Sequence, residues 1–200
     1  CGGTAAAGTI FPEPLAPVTS GTGTSAVTFY PHELKGLLAY FTDSLIQSGR
    51  SELRVNVFDG MLVTDELEKS NPNAARAARA DVNPAAFHLL ATNLLGKTPL
   101  IVHTDTGGVT LLFAATGFEA QVQESGKNIH NVTLKLTLVD SHRVLNTSTA
   151  GEGRFIKTYT YTLFSDNNGN IVNGEWTGAS TADHPDIVYG FKTVDPETFA

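Results

Sequence analysis

Asn131-Val132-Thr133-Leu134-Lys135-Leu136-Thr137-Leu138-Val139-Asp140 decides the fold class. Val132, Leu134, Leu136 and Leu138 alternate with Thr133, Lys135 and Thr137, a period of two that gives a strand one buried and one wet face. Outward from this run the same signal predicts strands over Leu100–His103, Val109–Ala115, Phe155–Phe164, Ile171–Trp176 and Ile187–Phe191. Asp166-Asn167-Asn168-Gly169-Asn170, between two of them, reads as a hairpin turn. Upstream the period changes. Leu34, Leu37, Leu38, Phe41 and Leu45 predict an amphipathic helix over 33–47, with Gly49 as its stop. Asn83 as N-cap, Pro84 in the first turn and the stripe Phe87, Leu90, Ala91, Leu94 predict a second helix over 84–95, with Val82 stapled against Phe87 and Gly96 at its end. Leu53–Phe58 alternates like a short strand, 62–80 looks helical in pieces, and Cys1–Thr9 suits a small-residue helix or an extended arm. A helical N-terminal half packed on a largely antiparallel β-sheet from the C-terminal half predicts an α+β fold in one domain, 1–200.

Two hundred residues are enough to bury a core without staples. Thirteen basic against twenty acidic residues leave a net charge of −7, which argues against a nucleic-acid partner. No apolar run reaches the roughly 18 residues of a membrane span, and no secretory signal pattern opens the sequence. The single cysteine excludes an intrachain disulfide and a cysteine-rich zinc site. No HExxH spacing and no glycine-rich phosphate loop between strand and helix occur, so no metal and no cofactor are expected. Asp166–Asn170 lacks the downstream bidentate Glu of a calcium loop.

The lone thiol, Cys1, has four readings. It is incidental, or the lipid-carrying first residue of a bacterial lipoprotein or surface binding module. It is the nucleophile of an N-terminal-nucleophile amidohydrolase that uses its own α-amino group as base. Or it opens a helix, whose N-terminus stabilises thiolate. A thiolate nucleophile needs a base, and His88 on helix 84–95 and His103 at the end of the next strand are the candidates. From His88 the helix runs on for about 11 Å at 1.5 Å per residue. A turn and a strand return the same distance, so Asp105 can end beside His88 and fix its tautomer. His103 shares a strand face with Asp105 and is the rival base. His32, His130, His142 and His184 fit capping, surface or loop positions. Asn131-Val132-Thr133 and Asn146-Thr147-Ser148 are sequons that permit glycosylation.

Several segments together resemble one family. Cys1-Gly2-Gly3-Thr4-Ala5-Ala6-Ala7, followed by Pro12-Glu13-Pro14, Pro17-Val18-Thr19 and Val27-Thr28-Phe29, is similar to the active-site stretch of the transglutaminase elicitors of oomycetes and marine bacteria. His32–Leu38 is similar to the next family segment. Ala80–His88 with Asn93–Gly96 resembles the segment around the catalytic histidine, and Gly174-Glu175-Trp176, Ser180 and His184-Pro185-Asp186 resemble the C-terminal signature. The resemblance implies a papain-like cysteine enzyme, secreted as a zymogen with an N-terminal pro-region or cleaved partner chain. By position it implies Cys1 as nucleophile, His88 as base and Asp105 as orienting carboxylate. It further implies acyl transfer from a protein glutamine to a lysine amine or to water, with protein or peptide substrates carrying Gln and Lys.

Overall fold

The structure, a computed structural model, describes residues 2–47, 54–59, 69–70, 82–95, 100–106, 109–140 and 153–191. Helix α1 (Gly2–Ile10) is followed by a small hairpin, β1 (Val18–Ser20) and β2 (Val27–Phe29), and by helix α2 (Pro31–Gln47). Strand β3 (Arg54–Asp59) and helix α3 (Pro84–Asn93) follow in the N-terminal half. Among the described residues the rest is mainly strand: β4 (Leu100–Thr106), β5 (Val109–Gly126), β6 (Ile129–Asp140), β7 (Arg154–Ser165), β8 (Ile171–Trp176) and β9 (Ile187–Phe191). Seven of these strands form one antiparallel sheet in the order β3-β9-β4-β5-β6-β7-β8.

The α+β class expected from the sequence is present, with one correction. The N-terminal half is not simply helical, because beside the edge strand β3, expected over Leu53–Phe58, it supplies the β1–β2 hairpin. The hairpin escapes sequence patterning for a physical reason. All but one of its strand residues are exposed, so burial imposes no alternation, and a Thr19–Thr28 hydroxyl bond of 2.9 Å spans its middle pair instead. Strand β5 also runs well past its expected end at Ala115. From Leu100↔Ala115 to Thr106↔Val109 it pairs with β4, from Phe113↔Asp140 to Gly126↔Ile129 it pairs with β6, and Phe113, Ala114 and Ala115 pair on both sides. A bulge between Ala115 and Gly117 marks the handover. Residues 62–80, apart from Lys69 and Ser70, lie outside the described residues, as do Gly49, Gly96, His142 and the sequon at Asn146.

The main core lies on one face of this sheet. Val132, Leu134, Leu136 and Leu138 of β6 are buried, as their alternation predicts, with Tyr159, Tyr161 and Leu163 of β7 beside them. Helix α3 packs onto that face and contributes Phe87, Leu90 and Ala91. Its start matches the sequence signal. The Asn83 side chain accepts from the Ala85 N–H at 2.9 Å, Pro84 occupies the first turn, and Val82 is buried in the same cluster as Phe87.

Helix α2 opens similarly. The Glu33 carboxylate reaches back to accept from the Tyr30 N–H at 2.8 Å, one half of a capping box. The hairpin turn after β7 closes around Asp166, whose carboxylate accepts from the backbone N–H groups of Asn168 and Asn170 and from the Asn170 amide. That full set of partners explains the Asp166–Asn170 run as a turn. Among the described residues no helix is long and apolar enough to cross a membrane.

Candidate functional site

The two helices that bear on the proposed chemistry lie on opposite faces of β4. Leu100 and Val102 point into the core that contains α3, whereas Ile101 clusters with Ala5 and Ala6 of α1, with Ile10 and Leu112 packed alongside. That division follows from the strand's two-residue period. Helix α1 is made of small residues because it must come close to its neighbours. A Cβ on Gly3 would meet the Ala39 carbonyl oxygen and would lie 2.6 Å from Asp43 Cβ, so α1 and α2 touch backbone to backbone there.

Cys1 lies outside the described residues; the first residue of α1 is Gly2. The backbone of His103 and Asp105 is described in β4, where His103 pairs with Leu112 and Ile187, and Asp105 pairs with Thr110. Their side chains lie outside what is described. His88 is the one member of the expected triad with a described side chain. It sits on α3, with its ring 5.8 Å from the Tyr161 ring in an edge-on arrangement, and Nδ1 lies 2.8 Å from the Tyr161 hydroxyl. Burial pushes the His88 pKa below the ordinary imidazole value, because the site disfavours the charged ring. Burial also raises the Tyr161 phenol, so the pair is a neutral hydrogen bond on the core face. Helix α1 is on the other face.

The C-terminal residues singled out in the sequence have mechanical roles. The Trp176 indole N–H donates to the Val82 carbonyl at 3.0 Å and fixes the chain just before the α3 cap. Its ring packs against Phe87, Tyr159 and Tyr161 on one side and stacks on His184 at 5.2 Å on the other. His184 Nδ1 lies 2.9 Å from the Ser180 carbonyl, and the Ser180 hydroxyl accepts from the Thr160 N–H. Gly174 is required by close approach, since a Cβ there would lie 2.9 Å from the Ala85 nitrogen. Asn173 joins the two elements, accepting from the Asn83 amide at 2.7 Å. Sequence spacing did not reveal this arrangement; the chain's one tryptophan was the available signal. Among the described residues no group of three or more His, Cys, Asp or Glu side chains is placed to hold a metal ion.

Residues 123–199 match the family model of the transglutaminase elicitors. The fold is similar to the crystal structure of the GP42 transglutaminase from Phytophthora sojae, with a TM-score of 0.63 and 21% sequence identity over 98% of this chain and 55% of that one. The chain therefore spans about half the length of that protein. No curated protein matches the sequence. The family match over the C-terminal residues supports the resemblance to the transglutaminase elicitors, and the structural match shows a similar fold.

Proposed function

We propose that residues 1–200 form one catalytic domain of a secreted, transglutaminase-like cysteine acyltransferase, with Cys1 as the nucleophile. The observation that carries this reading is the helix at Gly2–Ile10, packed through Ala5 and Ala6 on the strand that bears His103 and Asp105. In this reading the Cys1 thiol lies at the N-terminal end of that helix, an environment that favours the thiolate and supplies N–H donors for an oxyanion. A helix there also differs from the strand that carries the nucleophile of an N-terminal-nucleophile hydrolase.

Between the two candidate bases, the register favours His103. Its cross-strand partner Leu112 packs with Ile101 on the α1 face, and position 105 has the same parity. His88 is held by Tyr161 on the other face and serves the core. In this reading the Cys1 thiolate attacks the side-chain carbonyl carbon of a protein glutamine. The C–N bond then breaks, and ammonia leaves with a proton from the His103 imidazolium. A lysine amine or water next attacks the thioester, gives its proton to the imidazole and releases the thiolate. Asp105 orients the ring.

Incorporation of a fluorescent primary amine into casein tests the scheme. Cys1→Ser and His103→Ala are expected to reduce the rate at least a hundredfold, whereas His88→Gln keeps activity within about tenfold at a temperature where it is folded. Undiminished activity in Cys1→Ser ends the proposal. Loss in His88→Gln with retention in His103→Ala returns the base to His88.

A further inference from the structure

On the far side of α1 from Ile101, a cleft of about 130 Å³ opens between the helix, the irregular segment after it, α2 and the sheet. Phe11, Leu38 and Val139 give it apolar walls, and Glu13, Lys35 and Arg154 bring charge to it. Lys35 is only 8% exposed, and its ammonium lies 2.7 Å from the Glu13 carboxylate, so these two charges offset one another. Arg154 stands at the start of β7 beside Val139 and has no ion pair or side-chain hydrogen bond among the described residues. The cleft therefore contains one guanidinium in excess over its own carboxylate. Arg154 is exposed, so this cation stands at the mouth of the cleft, where one charged group beside apolar walls fixes the orientation of a ligand.

We propose that this cleft binds a short aliphatic carboxylate, either as a free acid or as the acidic side chain of a polypeptide. A guanidinium presents parallel N–H donors that match both oxygens of a carboxylate, which a point charge does not. The internal Lys35–Glu13 pair leaves room for one negative charge and no more. A volume of about 130 Å³ is close to the roughly 150 Å³ of a cavity able to hold benzene, so about five or six non-hydrogen atoms fit, the size of a carboxylate with two or three carbons behind it. Those carbons lie against Phe11, Leu38 and Val139. The inference goes beyond the acyl-transfer reading and does not depend on Cys1.

Titration of the 15N-labelled chain at about 0.15 M salt, the physiological range, tests it by NMR. The probes are butyrate, butyramide and N-acetylglutamate amide with its side-chain carboxylate free. Butyrate is expected to shift the backbone signals of Gly8, Leu38 and Val139 saturably, and butyramide of equal size is expected not to. Arg154→Gln should weaken butyrate at least tenfold. A second variant guards against misfolding: a Cβ at Gly8, on the rim, meets nothing within 4 Å. Gly8→Leu therefore fits, favours the helix and fills the mouth of the cleft. It should melt no lower than the parent and lose butyrate binding. Cys1→Ala should bind as the parent does. Tighter binding of the acetylglutamate amide than of butyrate assigns the site to a polypeptide side chain, and the reverse order to a free acid. Equal binding of butyramide, no saturable shifts with either carboxylate, unchanged affinity in Arg154→Gln, or retained binding in folded Gly8→Leu each overturns the proposal.

Discussion

The Tyr159 hydroxyl is buried without a hydrogen-bond partner among the described residues, while its ring packs edge-on against Phe87 at 5.1 Å. Burial, with the Asp183 and Asp186 carboxylates nearby, keeps the phenol protonated far above its usual range. An unpaired buried hydroxyl carries a desolvation cost that a phenylalanine does not. Tyr159→Phe is therefore expected to raise the unfolding free energy by about 1 kcal/mol in urea titrations. His88 behaves differently because its nitrogen is paired. Its pKa is depressed in the folded state, so its contribution is present above the unfolded imidazole value of 6.5 and is lost as pH falls through the lower folded value. The unfolding free energy of the parent should accordingly fall more steeply between pH 7 and 5 than that of His88→Gln. Equal slopes would show that protonation of His88 is not coupled to unfolding. Tyr161→Phe leaves His88 Nδ1 without this partner and should cost about 1 kcal/mol at pH 7, measured in the same way.

At the level of elements, the α3–β8 junction concentrates several fixed contacts. Asn83 caps α3 and reaches Asn173 with the same side chain, so Asn83→Ala removes two hydrogen bonds at once. Its expected cost is about 1–2 kcal/mol, toward the upper end for a lost cap. Gly174→Ala should be at least as harmful, because the new methyl meets the backbone of α3. Thermal melts of both variants check the pair. This junction was legible from one side only. Asn83, Pro84 and Phe87 announced the helix because capping and apolar spacing are local. The dependence on Gly174, Trp176 and Val82 was not legible, because it joins residues some ninety positions apart. The same contrast holds for β6, read correctly from its alternation, and β5, cut short in the reading. Past Ala115 the exposed Phe118 and Val122 give no core pattern, and the strand there is held by pairing with β6. At the site, position 103 could be recognised as a histidine on a strand end. That Ile101, rather than Leu100 or Val102, packs against α1 is a long-range contact, which the sequence does not encode locally.

For the whole molecule, the β4–β5 sheet separates two populations of side chains. One is the large core under α3; the other is the thin, small-residue contact with α1. Stability resides mainly in the first and the proposed chemistry in the second. Substitutions in the α3 core should thus alter melting temperature before they alter turnover, at temperatures where the variant is folded. The net charge of −7 does not oppose protein substrates, although it disfavours polyanions.

Sheet order has a consequence for the time at which this fold can be completed. Strand β9 lies between β3 and β4, so two early segments are joined through one of the last described. On the ribosome, β4 through β8 can zip sequentially as neighbouring antiparallel strands as they emerge. The β3 segment must wait with an unsatisfied edge until residues 187–191 have been made and have slotted in beside β4. A chain ending at Asp186 should therefore keep the meander but leave β3 open to proteases, detectable as early cleavage near residues 54–59. Closure is a late kinetic event, and β9 is its latch.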